Sequence, residues 1–175
     1  MNNSVSFPTL KTERLLLRQL TIGDDKAIAA LRSDETVNKY LDRPKTTNPA
    51  QAAEFINKIN LSISKSESFY WAITFENKLI GNICLWNISK DTLNVEIGFE
   101  LLPGFHGKGL MQEALGAIIK YTFQTLNFKT VIAYVHAGNI KSILLLDRNN
   151  FKRDKELENI NELEDLVVYS LSNNW

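Results

Sequence analysis

Two glycines, Gly107 and Gly109, stand where an alternating apolar pattern gives way to the longest amphipathic helical pattern in the chain. Glycine lets backbone approach a ligand without an intervening Cβ, and a helix N-terminus offers unpaired N–H groups and about half a positive charge. Together these make the physics of a diphosphate site. On physics alone, an ordinary glycine turn feeding a helix fits as well. A Walker loop would need glycine where Leu102 stands, and Ser or Thr after Lys108, where Gly109 stands. The dinucleotide fingerprint would need a third glycine in place of Gln112. Neither applies.

The pattern over 92–102 puts Leu93, Val95, Ile97, Phe99 and Leu101 on one side of a strand, and Asn94, Glu96, Gly98 and Glu100 on the other. Two carboxylates on a polar strand face can take up protons or simply solvate the sheet. Cys84, within the run Ile83-Cys84-Leu85-Trp86, reads as a buried structural thiol. A single cysteine excludes an intrachain disulfide and a cysteine-rich zinc site, and no metal is expected. His136 has no partner visible in sequence and reads as structural. The mixed run Lys152 to Glu156 reads as a solvated face.

The elements that position these residues follow from spacing. Residues 13–20 are an apolar run of ambiguous type, and Asp24 or Asp25 can cap a helix carrying Ala27, Ile28 and Leu31, then Val37 and Leu41 after a break. Asn48 before Pro49 predicts a capped helix with Ala52, Phe55, Ile56, Ile59 and Ile63 on its apolar face. Strands are expected over 69–75, 79–88 and 92–102 as an antiparallel meander. A helix over 109–126 and a strand over 129–135 complete a βαβ unit with one parallel pairing. A helix over 140–149 and closing strands over 151–157 and 166–171 follow. The expected fold is α/β: one domain over 1–175, with 1–9 a loose tail, and a mixed, mostly antiparallel sheet of about seven strands covered by helices on both faces.

At 175 residues, one domain can bury most of its apolar surface. Twenty basic residues balance twenty acidic ones, so charge gives no argument for nucleic acid or an anionic membrane. No window reaches the ~20 apolar residues that span a bilayer, and the N-terminus has no signal-peptide pattern. A cytoplasmic protein is expected, as monomer or homodimer.

The segment His106-Gly107-Lys108-Gly109-Leu110-Met111 resembles the acetyl-CoA signature of the GNAT acetyltransferase superfamily, Gln/Arg-x-x-Gly-x-Gly/Ala. The wider string EIGFELLPGFHGKGLMQEAL, with Leu10-Lys-Thr-Glu-Arg-Leu-Leu-Leu-Arg18, Asn139-Ile-Lys-Ser142 and Asn150-Phe151, resembles the branch of ribosomal-protein N-terminal acetyltransferases. Three positions depart from the pattern: His106 for Gln or Arg, Met111 for Gly or Ala, and Asn150 for the glycine before Phe151. The backbone amides, which are the binding device, are untouched by any of them.

The resemblance implies transfer of an acetyl group from acetyl-CoA directly to an amine. It implies that the strand bearing Phe99, Leu101 and Leu102 pairs with the pantetheine arm. It further implies that His106, Gly107, Lys108, Gly109, Leu110 and Met111 hold the diphosphate, with Asn139 and Ser142 near the sulfur. Glu96 is the expected base, with Glu100 as alternative, and Ser142 the expected acid. A backbone N–H near Ile97–Phe99, freed by a bulge at Gly98, is expected at the oxyanion. Tyr40 resembles the wall of the acceptor site. Trp71 and Trp86 are sheet packing or, alternatively, acceptor contacts. An α-amine, with pKa ~7.7–8.0, is partly neutral near pH 7.5, whereas lysine at ~10.4 is about 0.1% neutral. This favours a protein N-terminus as acceptor; the alternatives are a small amine (a polyamine, amino sugar or antibiotic) or a non-catalytic acyl-CoA-binding module.

Overall fold

The computed structural model describes residues 7–161 and 164–173. The ambiguous run at 13–20 is extended: β1 (Leu10–Lys11) folds back on β2 (Leu15–Gln19), and Leu15 and Leu17 enter the core. Phe7 and Pro8, expected in a loose tail, are packed. The Phe7 ring lies 5.4 Å from that of Trp71, whose indole N–H donates to the Pro8 carbonyl at 2.8 Å.

Helices α1 (Asp25–Ser33), α2 (Glu35–Asn38) and α3 (Pro49–Ser64) follow. Asp24 precedes α1 but spends its carboxylate on the Thr21 N–H and on two Arg18 nitrogens, each at 2.8 Å, rather than on the helix. Asn48 caps α3 as its type and position dictate, accepting from the Gln51 N–H at 3.0 Å with Pro49 at the first turn.

The meander is β3 (Phe69–Phe75), β4 (Lys78–Ser89) and β5 (Asn94–Leu101). Glu76 and Asn77 both take positive φ, giving the two-residue turn whose twist suits a hairpin. Then come α4 (Leu110–Gln124), β6 (Thr130–His136), α5 (Ile140–Arg148), β7 (Lys152–Arg153), α6 (Lys155–Asn161) and β8 (Leu166–Ser172). Among the described residues the sheet has eight strands, ordered β1-β2-β3-β4-β5-β6-β8-β7. Among these described strands only β5 and β6 pair in parallel. The strand beyond the expected seven is β1.

The strand expected over 151–157 shrinks to two residues. Asp154 ends it: one carboxylate oxygen accepts from the Leu157 N–H at 3.1 Å and starts α6, and the other takes the Ser170 hydroxyl. Helices cover both sheet faces. On one, α4 and α5 pack Leu110, Leu115, Ile118 and Leu146 against Trp71, Ile83, Leu85, Val95 and Ile97. On the other, α1 and α3 pack Ile28, Leu31 and Ile56 against Tyr70 and Ala72. Among the described residues no helix is long and apolar enough to cross a membrane.

The feature that positions the site is a fork. Pairing between β5 and β6 stops at Glu96 opposite Ile132. Beyond it, β5 continues on β4 to Leu101 and β6 continues on β8 to His136, so the parallel strands part.

Candidate functional site

One arm of the fork offers a free strand edge. The Leu102 N–H donates to the Ile80 carbonyl at 2.8 Å, closing the β4–β5 ladder. Antiparallel alternation then turns the backbone of Glu96, Gly98 and Glu100 toward β4 and that of Ile97, Phe99 and Leu101 toward the gap. His106 takes one of these groups, its Nε2–H donating to the Leu101 carbonyl at 2.8 Å. The rest of this edge can pair with an extended amide-bearing chain, as pantetheine is.

The bulge expected at Gly98 is absent. Gly98 lies regularly opposite Cys84, and the irregularity in this ladder falls between Trp86 and Ser89. Gly98 is glycine because the Trp86 ring lies over it; a Cβ there would come within 2.6 Å of two ring carbons. The free amides come from the fork.

At the tip of β5, a 3₁₀ turn over Pro103–Phe105 leads into the glycine loop. Gly107 and Gly109 both adopt φ +73°, in the left-handed region, and Gly109 is the N-cap of α4. The space beyond Gly107 is open, so its glycine answers to conformation rather than crowding. The first helical bond runs from the Glu113 N–H to the Gly109 carbonyl at 3.0 Å. The amides of Leu110, Met111 and Gln112 therefore lack an intrahelical acceptor. Left-handed glycines followed by unpaired amides on a 15-residue helix fit a diphosphate. The two departures from the signature do not fill this cradle. Met111 turns into the core, and the His106 side chain braces the strand tip.

A network invisible in the spacing holds the loop from outside. Arg14 donates from its backbone N–H and Nε to the two carboxylate oxygens of Glu113, each at 2.7 Å, and from NH1 to the Lys108 carbonyl at 2.9 Å. The Thr12 hydroxyl joins the same carboxylate at 2.5 Å. Burial pushes the Glu113 carboxyl up, but bonds from Thr12 and Arg14 outweigh it and hold it below the usual range. The Lys108 ammonium lies 5.3 Å from the centre of the Phe105 ring.

The other arm ends in the turn before α5. Asn139 caps that helix, its Oδ1 accepting from the Ser142 N–H at 3.3 Å, so both lie at the open end of β6. The His136 Nδ1 accepts from the Gly138 N–H at 3.0 Å, and the Tyr40 ring lies 5.1 Å from the imidazole. Tyr40, two residues beyond α2, is thus brought to the tip of β6.

Glu96 sits where the fork opens, half-buried on the face away from α4. Asn87, at positive φ in the β4 irregularity, donates to its Oε1 at 2.6 Å; nothing in its sequence context marks it out. Glu100, on the same face, is engaged by two Arg43 nitrogens and by Asn82. Trp86 is directly opposite Glu96 and partly exposed. Trp71 is not brought to this face: it is fully buried on the α4 side, edge-on to Tyr121. The Cys84 thiol lies 3.6 Å from the Gly98 carbonyl, and burial pushes its pKa up.

Comparison with known proteins gives the same assignment. Residues 14–152 match the family described as "Acetyltransferase (GNAT) domain". The chain is 32% identical to an uncharacterized N-acetyltransferase, p20, of Bacillus licheniformis, across 93% of this chain and 95% of that protein. Among solved structures, the ribosomal-protein-S5-alanine acetyltransferase of Vibrio fischeri superposes with TM-score 0.79 at 20% identity, covering 95% of this chain and 97% of that one. The microcin C7 self-immunity acetyltransferase MccE, solved with acetyl-CoA and AMP, gives 0.81 at 19% identity, covering 92% and 93%. A forked sheet, a glycine loop at a helix N-terminus and a family match over most of the chain lead to one conclusion: this chain belongs to the GNAT family of acetyltransferases, enzymes whose acetyl donor is acetyl-CoA.

Proposed function

We propose that this enzyme acetylates a protein N-terminal α-amine, with Glu96 as base and Ser142 as acid. The observation that carries the reading is the contrast between two glutamates on one strand face. Glu96 stands at the opening of the fork and accepts a hydrogen bond from the neutral Asn87 amide, whereas Glu100 is committed to Arg43.

In this reading the backbone of Phe99 and the Leu101 N–H pair with the pantetheine arm, while Leu102, whose N–H is spent on Ile80 and whose carbonyl is spent on the Phe105 N–H, borders the arm without pairing with it. His106 keeps the strand tip in place, and Gly107, Lys108, Gly109, Leu110 and Met111 receive the diphosphate through their amides. Asn139 bonds the donor near its sulfur. Tyr40 and Trp86 wall the acceptor. Glu96 accepts the amine proton through a water as the amine nitrogen bonds the acetyl carbon. As the C–S bond breaks, Ser142 passes its hydroxyl proton to the sulfur and takes one from a neighbouring water, so it stays neutral, and Glu96 returns the amine proton to solvent. Amide N–H groups at the fork meet the charge that develops on the carbonyl oxygen. The Vibrio fischeri neighbour, a ribosomal-protein-S5-alanine acetyltransferase, supports this acceptor class.

The test is CoA release from acetyl-CoA against peptides with free N-termini, with the same peptides blocked, and with a panel of polyamines, amino sugars and aminoglycosides. Turnover on free but not blocked peptides is the expected result. Turnover confined to small amines would replace the acceptor class, and acetyl-CoA binding without turnover on any acceptor would point to an acyl-CoA-binding module.

A further inference from the structure

The diphosphate loop is held by a residue outside it. Thr12 and Arg14, in the turn between β1 and β2, lie some hundred positions before Lys108 and Glu113, yet four hydrogen bonds join the two segments. Three end on the Glu113 carboxylate, and one, from Arg14 to the Lys108 carbonyl, acts on the orientation of the loop. A trans peptide points its carbonyl and the following N–H in opposite directions. With the Lys108 carbonyl held by Arg14, the Gly109 N–H is turned to the opposite side of the loop, away from Arg14. The guanidinium also neutralises Glu113, a carboxylate in the first turn of α4 that would otherwise oppose an anion bound to the same amides. The second terminal nitrogen, NH2, lies 3.4 Å from where a Gly109 Cβ would be, beside the helix N-cap.

We propose that Arg14 is a positioning residue for the acetyl donor: it fixes the Lys108–Gly109 peptide so that its N–H faces the diphosphate, and it cancels the Glu113 charge beneath it. This rests on the placement of acetyl-CoA given above. Lysine at this position would keep the backbone bond to Glu113 but would have to reach the carboxylate and the loop carbonyl from one ammonium, where arginine uses two separate nitrogens of a rigid fork.

The experiment compares two donors on the intact enzyme: acetyl-CoA, and S-acetylpantetheine, which carries the same thioester without the diphosphate. Loss of two charge-assisted contacts at the loop is expected to raise KM for acetyl-CoA about 10- to 100-fold in Arg14→Ala, with kcat at saturation changed less than about threefold. KM for S-acetylpantetheine should change less than about twofold, since it does not reach the loop. A rise in both KM values together, or in neither, would overturn the proposal. If Arg14→Ala does not fold, Arg14→Lys serves in the same assay. It should lose about 3- to 10-fold of the preference for acetyl-CoA, and full retention of that preference would overturn the proposal. Failure of the wild-type enzyme to bind acetyl-CoA would instead defeat the donor placement itself.

Discussion

Arg43 holds Glu100 through both terminal guanidinium nitrogens, and Asn82 reaches the same carboxylate from the neighbouring strand. The pair is largely buried, Arg43 coming from the loop between α2 and α3. Its commitment separates the two candidate bases. Glu96→Gln is expected to lower kcat about 10²- to 10⁴-fold with acetyl-CoA affinity unchanged. Glu100→Gln is expected to keep kcat within about threefold while costing about 1–3 kcal/mol of stability. That is below the figure for a fully buried pair because some solvent reaches both groups. Steady-state kinetics with urea unfolding of both variants distinguishes the roles. The reverse pattern would move the base to Glu100.

Much of the candidate site is legible in residue types and spacing, and the remainder is not, for physical reasons. Gly107 and Gly109 announced themselves by type and spacing, and Asn48-Pro49 by capping chemistry. The alternation of β5 fixed which side Glu96 and Glu100 share, because one face is apolar and the other polar. In β3, by contrast, FYWAITF is apolar on both faces, so pattern could not say that Trp71 turns toward α4 while Tyr70 turns toward α3. The Arg14–Glu113 contact spans 99 positions and leaves no periodic trace. The fork is a pairing that stops, and nothing in the residues after Glu96 signals the loss of a neighbour.

Two glycines should respond to alanine for opposite reasons. A Cβ at Gly81 would lie 2.2 Å from the Glu100 carbonyl oxygen, a backbone atom of the next strand that cannot move alone. Gly81→Ala is expected to cost about 3 kcal/mol or more, seen as a large fall in the urea midpoint. Gly107 has open space around it, and only its φ of +73° is at stake. Gly107→Ala should cost about 1–2 kcal/mol but weaken acetyl-CoA binding, because relaxing φ re-aims the loop amides. Titration calorimetry beside unfolding tests both, and a Gly107→Ala protein with unaltered acetyl-CoA affinity would count against the loop as the diphosphate site.

Asp24 ties the start of α1 to β2 through Arg18. Burial pushes its carboxyl up, but the bonds from Arg18 and the Thr21 N–H outweigh this and leave it below the ordinary value. The folded pKa is therefore lower than the unfolded one, ~3.9. The stabilisation is complete above that value and disappears as pH falls through the folded pKa. Thermal unfolding of wild type and Asp24→Asn across pH 7 to 2.5 should show a gap that is constant above about pH 5 and narrows below about pH 4. A gap that holds constant to the acid limit would mean that Asp24 contributes by shape rather than charge.

Asn150, the departure from the family glycine, terminates α5 in the left-handed region with φ +64°. Its N–H donates to the Asp147 carbonyl at 3.0 Å, and the Phe151 N–H reaches back to Leu146 at 3.1 Å, so two terminal carbonyls are satisfied while Phe151 drops fully buried into the core. Asparagine tolerates this φ better than other residues with a Cβ, and glycine better still. Asn150→Gly is thus expected to be neutral or stabilising by up to about 1 kcal/mol, and Asn150→Ala destabilising by about 1 kcal/mol. Phe151→Ala, which empties a buried site, should cost about 3–5 kcal/mol. Urea unfolding of the three variants gives the ranking. If alanine at 150 proved as stable as glycine, the backbone there would have to relax out of the left-handed region, and the anchoring of Phe151 would owe nothing to the cap.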